Sequence, residues 1–255
     1  MTNVELAMII SVYNRNDRRL MNCLRSLIRQ NTQHHYDIFV VDYGSNDGLE
    51  AALQALGSEK INYAYVDKTP FNRSHANNIA VVNTAAPLVC MTDGYYIFQD
   101  NFIESIFTTA VPYAILTCTA RPICIPQTYV ESDDFDIVEQ FDECMQKDGV
   151  GHGTMRGSTY VLAMDKDALI GIRGYDEEML YGEDIDILRR MLVAGATLIR
   201  LDASTTVAYQ CWKQDAEVKR DTGKKEQEDL KRSDLTAVLR RKSPMRNIGK
   251  EFGQL

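Results

Sequence analysis

The sequence predicts an α/β protein built on a doubly wound sheet. Two observations carry that expectation. Short apolar runs alternate with helical patterns over the first hundred residues, as a sheet covered on both faces requires. Polar residues such as Asn14, Asp42 and Asp93 close those runs, where open parallel sheets bind their ligands.

The elements follow in order. Leu6 to Tyr13 (LAMIISVY) is a continuous apolar run, read as a strand buried on both faces. Asp17 to Arg29 spaces Leu20, Cys23, Leu24, Leu27 and Ile28 along one helical face. Asp37 to Asp42 is a second strand, closed by the turn formers Tyr43 to Gly48 and followed by a helix from Leu49 to Leu56. Ile61 to Val66 reads as a strand, Ser74 to Thr84 as a helix and Pro87 to Met91 as a strand, with Ser74 the expected N-cap. Further along come a helix at Asn101 to Thr109, a strand at Ala114 to Ala120 and an acidic loop or lid at Asp133 to Val150. A strand at Tyr160 to Met164, a helix at Glu183 to Ala194, and strands at Thr197 to Leu201 and Thr205 to Tyr209 complete the series.

The 255 residues are 45% hydrophobic and carry a net charge of −8, ordinary for a globular chain and wrong for a disordered or collagenous one. No repeat or linker divides them. One domain over 1–212 is expected, with a C-terminal helical extension over 213–255. That extension holds 12 Lys and Arg against 8 Asp and Glu, so a +4 tail follows a −12 body. An acidic body argues against general nucleic-acid binding. Leu230 to Arg246 mixes Leu230, Leu235, Val238 and Leu239 with basic residues, a pattern for a basic amphipathic helix docking on the body, on a membrane surface or on a phosphate-rich acceptor. No apolar run reaches membrane-spanning length and Met1 to Glu5 lacks a basic leader. The six cysteines form no C-x-x-C pair and read as reduced thiols, so a cytoplasmic location is expected.

Three segments bring chemistry together. Ser11-Val12-Tyr13-Asn14-Arg15 and Val41-Asp42-Tyr43-Gly44-Ser45 end the first two strands, and an acid followed by a small turn can hold a base or ribose. Phe71-Asn72-Arg73-Ser74 leads through a helix to Asp93-Gly94-Tyr95, where a buried carboxylate requires a metal, hydroxyl or cation beside it. Arg173 to Asp186 then places six carboxylates within eleven residues, three at a helix start. A fixed carboxylate at a pocket rim can act as a general base. Neither a G-x-G-x-x-G nor a P-loop occurs, which disfavours a nucleotide-dependent oxidoreductase or methyltransferase on the same sheet.

In this order and spacing the motifs S-x-Y-N-R, V-D-x-G-S-x-D, F-N-R-S, the D-x-D-like strand end and the late G-[FY]-D-E…G-E-D-x-D resemble family 2 glycosyltransferases of GT-A fold. The likeness is to the chondroitin-polymerase-like and galactosyltransferase-like group and spans about residues 6 to 213. It implies a Rossmann-like mixed sheet and an inverting transfer from a nucleotide sugar, a UDP-sugar above others, to an acceptor hydroxyl. It further implies Tyr13, Arg15 and Asp42 around the base and ribose, Arg73 and Asn78 lining the donor site, and Asp93 near the diphosphate or donor ribose. Asp184 would be the general base and Glu183 an acceptor-binding partner. A divalent Mn²⁺ or Mg²⁺ on Asp93 belongs to the same pattern, yet two metal positions differ. The D-x-D reads Asp93-Gly94-Tyr95, and a late Y-H-x-W-H reads Tyr209-Gln210-Cys211-Trp212-Lys213. Lys213, with Arg73, is therefore expected to offset the diphosphate charge in a metal-independent or weakly metal-dependent transfer. His152, in Gly151-His152-Gly153, reads first as a solvent-exposed loop histidine, with contact to the donor sugar the alternative. The acceptor stays open among glycan, lipid-linked glycan, protein and nucleobase, and a degenerate protein that binds sugar nucleotide or glycan without turnover is the alternative.

Overall fold

The computed structural model describes residues 4–118, 120–125, 161–201, 208–211, 244–247 and 250–254. Its first half runs β1 (Leu6–Val12), α1 (Arg18–Ile28), β2 (Tyr36–Asp42), α2 (Leu49–Ala55), β3 (Ile61–Tyr65), α3 (Arg73–Asn83), β4 (Leu88–Thr92) and β5 (Tyr96–Phe98). The second continues with α4 (Phe102–Thr109), β6 (Ala114–Thr117), β7 (Ala120–Ile125), β8 (Leu162–Asp165), α5 (Lys166–Gly171), α6 (Glu183–Val193), β9 (Thr197–Arg200) and β10 (Ala208–Cys211).

Seven strands form the main sheet in the order β3-β2-β1-β4-β8-β6-β9. β8 runs antiparallel to both neighbours and the other pairings are parallel, so the sheet is mixed. The chain builds outward from β1 in both directions, to β2 and β3 on one side and β4 on the other. The point where the order reverses therefore lies between β1 and β4, and a crevice opens beyond their C-terminal ends. A second sheet, β5-β10-β7, pairs β10 antiparallel to β5 and parallel to β7.

All seven residues of β1 are buried, and their alternation divides them between two cores. Leu6, Met8, Ile10 and Val12 pack with Leu20, Leu24 and Leu27 of α1 and Phe102 and Ile106 of α4. Ala7 and Ile9 pack on the other face with Ile79 and Ala80 of α3 and Ile187 and Met191 of α6. Truncating such a leucine to alanine costs about 2–5 kcal/mol, so the strand that ends in the crevice is firmly held on both faces.

Local caps decide where the helices start. The Asp17 side chain accepts from Leu20 N at 3.0 Å, and Asp165 accepts from Ala168 N at 2.9 Å. The expectation of Ser74 as N-cap is corrected. Asn72 caps α3 by accepting from His75 N, and Ser74 lies buried inside the first turn with its hydroxyl on Met179 O. The strand expected over Ala114 to Ala120 divides between β6 and β7, which belong to different sheets. Cys23, Cys90 and Cys118 are buried, and burial pushes the pKa of the Cys90 thiol up. The described end of the extension, 244–247 and 250–254, is irregular rather than helical and rests on the body. The remaining 213–243, the loop at 133–150, His152 and Lys213 lie outside the described residues. Among the described residues no helix is long and apolar enough to cross a membrane.

Candidate active site

The loops after β1 and β2 are knitted into one rim. Asn14, at φ 47°, donates its N–H to Ser45 Oγ at 2.7 Å, and its side-chain oxygen accepts from Asn46 N at 3.1 Å. Asn16 N and Nδ2 bind Asp47 Oδ2 and O, each at 2.8 Å. The two sequence motifs are thus one structural unit. The first of them borders a cavity of about 310 Å³ lined by Ser11, Tyr13, Arg15, Phe71, Arg73, Asp93 and Tyr95, among others. Tyr13 faces it half-exposed, its ring nearly parallel to that of Phe71 with centroids 6.3 Å apart. Arg15 lines it beside Asp17 at 3.4 Å. Asp42 sits beneath the rim rather than on the cavity wall. It is buried, its Oδ1 accepting from Ser45 N at 3.1 Å and its Oδ2 from Tyr63 OH at 2.8 Å.

Asp93 emerges from the C-terminal end of β4 at the reversal point. Arg73, the first residue of α3, sets Nη1 2.9 Å from Asp93 Oδ1 and 3.5 Å from Glu183 Oε1. The other Asp93 oxygen accepts a hydrogen bond from Tyr95 OH. Burial and the adjoining Asp93 carboxylate push the Tyr95 hydroxyl far above its ordinary value, so it stays a donor. Gly94 lies between them, and the Leu20 side chain packs so closely on it that a Cβ there would stand 2.7 Å from Leu20 Cδ1 and require Leu20 to shift. Tyrosine in the place of a second acid therefore points back to the first one.

Beyond Arg73 lies a narrow recess of about 20 Å³ shared by Ser11, Arg73, Asn77, Asp93, Glu183 and Asp184. Ser11 Oγ donates to Asn77 Oδ1 at 2.6 Å across it. α6 opens with Gly182 in the left-handed region and then Glu183, Asp184 and Asp186 in its first turn, where unpaired N–H groups favour negative charge. Burial raises the Glu183 carboxyl above its ordinary value, with Arg73 pulling the other way and Asp184 adding to the rise. The six clustered carboxylates stand in different surroundings. Asp176 and Asp186 pair with Arg246, Glu177 accepts from Asn78 and Gly253, Glu178 meets Lys250, and Glu183 meets Arg73, while Asp184 borders the recess.

Asn78 does not reach either space. It is fully buried, donating to Tyr175 O and Glu177 Oε1 and accepting from Tyr175 N. Its amide is spent on the 173–178 turn, so the expected place of Asn78 in the lining of the donor site is not what its geometry shows. Nor does Asp93 offer a divalent cation what such an ion takes, several oxygen ligands on small centres. One of its oxygens faces a guanidinium and the other a phenol. Among the described residues no group of three or more His, Cys, Asp or Glu side chains could hold a metal. Among the described residues, those around Asp93 do not fit the metal that the D-x-D resemblance implies.

The model of the family described as glycosyl transferase family 2 matches residues 7–167, more than half the chain. The chain belongs to glycosyl transferase family 2. Its fold is that of solved GT-A enzymes. The mannosyltransferase PcManGT from Pyrobaculum calidifontis, described in complex with GDP-Man and Mn²⁺, is similar with TM-score 0.60 at 15% identity, over 85% of this chain and 59% of that one. TarS 1-349 from S. aureus is similar with TM-score 0.58 at 14% identity, over 81% of this chain and 60% of that one. The chain thus spans about three-fifths of the length of these structures. No curated protein sequence matches it.

In this family 2 chain, the structure brings Tyr13, Arg15, Arg73 and Asp93 to one cavity and Glu183 and Asp184, which lie beyond the matched residues, to the recess beside it. Arg73 and Asp93 border both. Sequence reading missed Tyr95 as the partner of Asp93, Phe71 as part of the aromatic wall and Asn77 across the recess. A tyrosine two residues after the strand-end acid was the available signal for the first. Ser11 and Asn77 are 66 positions apart, and nothing local announces their contact.

Proposed function

We propose that this chain is an inverting glycosyltransferase, moving a sugar from a nucleoside diphosphate sugar to an acceptor hydroxyl with Asp184 as general base. The observation that carries the reading is the shared Arg73. It separates a nucleotide-sized cavity, bordered by three arginines and two aspartates, from a recess bearing Glu183 and Asp184. The first space suits a diphosphate and the second an incoming hydroxyl.

The acceptor O–H gives its proton to an Asp184 oxygen while its oxygen attacks the anomeric carbon. The bond from that carbon to the β-phosphate oxygen breaks, and the nucleoside diphosphate leaves with the electron pair. Charge gathering on that oxygen is offset by Arg73, held rigid by Asp93 and Glu183, and by Lys213 from the extension. Glu183 orients the acceptor. A UDP-sugar is the proposed donor on the strength of the family likeness, and cytoplasmic placement follows the sequence expectation.

Turnover is accordingly metal-independent or weakly metal-dependent. Thermal shift with a panel of UDP- and GDP-sugars, followed by nucleoside diphosphate release, each with EDTA and with Mn²⁺, tests the reading, because a ligand that binds the native fold raises its stability. Binding and release in EDTA support it. Undiminished release by Lys213→Ala together with complete loss in EDTA overturns the metal-free chemistry. A second reading, binding without turnover, draws on the Asp93 carboxylate being consumed by Arg73 and Tyr95, and it predicts a thermal shift with no release under either condition.

A further inference from the structure

The C-terminal residues 244–247 and 250–254 lie across the back of both halves of this site. We propose that this strap positions the site, fastening the base-bearing start of α6 at one end and the aromatic wall of the nucleotide cavity at the other, with Arg246 its positioning residue.

At the first end, four buried charges alternate. Arg246 Nε lies 3.0 Å from Asp176 Oδ2, a charge contact out of hydrogen-bond alignment, and Nη2 lies 3.4 Å from Asp186 Oδ1. Arg190 Nε closes on Asp186 Oδ2 at 2.6 Å, and its other nitrogens donate to Gly174 O and to Pro244 O of the strap. None of the four is more than 6% exposed. Without Arg246, two buried carboxylates would face one guanidinium, an imbalance that is relieved by opening the turn or taking up a proton. Asp186 is two residues past Asp184 in the same helical turn, so that relief displaces the proposed base.

Asn247 acts on the same turn as if it were main chain. Its Nδ2 donates to Arg173 O and Tyr175 O, and its Oδ1 accepts from Glu177 N. Gly253 N then donates to Glu177 Oε1, the oxygen Asn78 also holds. Only glycine fits there, since its φ is 68° and a Cβ would stand 2.6 Å from Asn78 O.

The second end reaches the nucleotide side. Gln254 O accepts from His75 Nε2 at 2.9 Å, and a carbonyl can only accept, so the proton is on Nε2 and Nδ1 receives Tyr43 OH at 3.0 Å. Burial lowers the pKa of His75, in keeping with this neutral ring. Tyr43 meets Phe71 edge-on at 5.9 Å, and Phe71 lies parallel to Tyr13 on the cavity wall. Contacts thus run continuously from Asp186 to Tyr13 through residues distant in sequence.

The kinetic part of this inference rests on the functional reading above; its structural part does not. Arg246→Met and a chain ending at Gly253 are compared with the wild type by hydrogen exchange, nucleoside diphosphate binding and release from the nucleotide sugar with the fastest wild-type rate. Arg246→Met is expected to raise exchange in the 173–186 peptide at least about tenfold with β1 unchanged, and to cut kcat by about tenfold or more with binding within about twofold. The chain ending at Gly253 is expected to do the reverse, weakening binding at least about threefold with kcat within about twofold. Asn247→Ala removes three main-chain bonds and strands no charge, and it serves in place of Arg246→Met if that variant does not fold. Unchanged exchange, an even rise that includes β1, or parallel losses of kcat and binding in both variants overturns the proposal. A wild type that turns over no nucleotide sugar sinks the functional reading alone, and the exchange pattern still judges the strap.

Discussion

The Arg73 guanidinium stands 2.9 Å from Asp93, and the Tyr95 hydroxyl occupies the other oxygen of that carboxylate. A strand-end acid that would suit a metal is here neutralised by the protein itself. Replacing Arg73 by methionine leaves Asp93 and Glu183 buried without their shared cation. The expected cost is about 2 kcal/mol, below the 3–5 kcal/mol of a fully buried pair because Arg73 is a third exposed. Release of nucleoside diphosphate falls by about 100-fold or more. Denaturant unfolding and release kinetics on the same preparation check both figures, and unchanged kinetics in a destabilised variant would reduce Arg73 to a structural role.

Asn78 is expected to matter for stability rather than for donor affinity. Asn78→Ala strands Tyr175 N in a buried place and takes one of two donors from both Tyr175 O and Glu177 Oε1, at a cost of about 1–3 kcal/mol. Calorimetry should show that loss while the Kd of the nucleoside diphosphate at low temperature stays within about threefold of wild type, the difference being about 0.6 kcal/mol. A selective loss of binding with unaltered stability would return Asn78 to the donor site.

Glu183 supplies a pH signature. Its carboxyl is raised by burial, so between the ordinary value of 4.5 and its raised one the native state holds a proton that the unfolded chain has released. The stabilisation is complete below 4.5 and is lost as pH rises through the raised value. Glu183→Gln keeps the neutral shape at every pH. The stability of this variant relative to wild type should therefore climb as pH increases from 4.5 toward neutrality, read from denaturant midpoints. A difference that stays flat across that range would contradict the burial of this carboxyl.

Much of the fold was legible because both faces of the sheet are covered. Apolar runs such as LAMIISVY and helical spacings such as Leu20, Leu24 and Leu27 carry their periods in the chain itself. β5 is three residues long and α5 six, too short to show a period. At α3 two capping residues lay two positions apart, and Asn72 prevailed because Ser74 is drawn into the contact with Met179. Tyr13, Arg15, Arg73, Asp93, Glu183 and Asp184 were singled out by the family resemblance, and they lie around one cavity and its recess. Which carboxylates serve the fold could not be read in that way. Asp176 is told apart from Asp184 by Arg246, far along the chain, and Asp186 by Arg246 together with Arg190 of its own helix.

The most direct measurement is nucleoside diphosphate release in EDTA by wild type and by Asp184→Asn across the UDP- and GDP-sugar panel. Steady release by the wild type is predicted, falling by about 10²–10⁴-fold in Asp184→Asn while the donor still raises the melting temperature of both proteins equally. Equal rates in the two proteins, or a wild type that binds a donor and releases nothing with or without Mn²⁺, would contradict glycosyl transfer by Asp184.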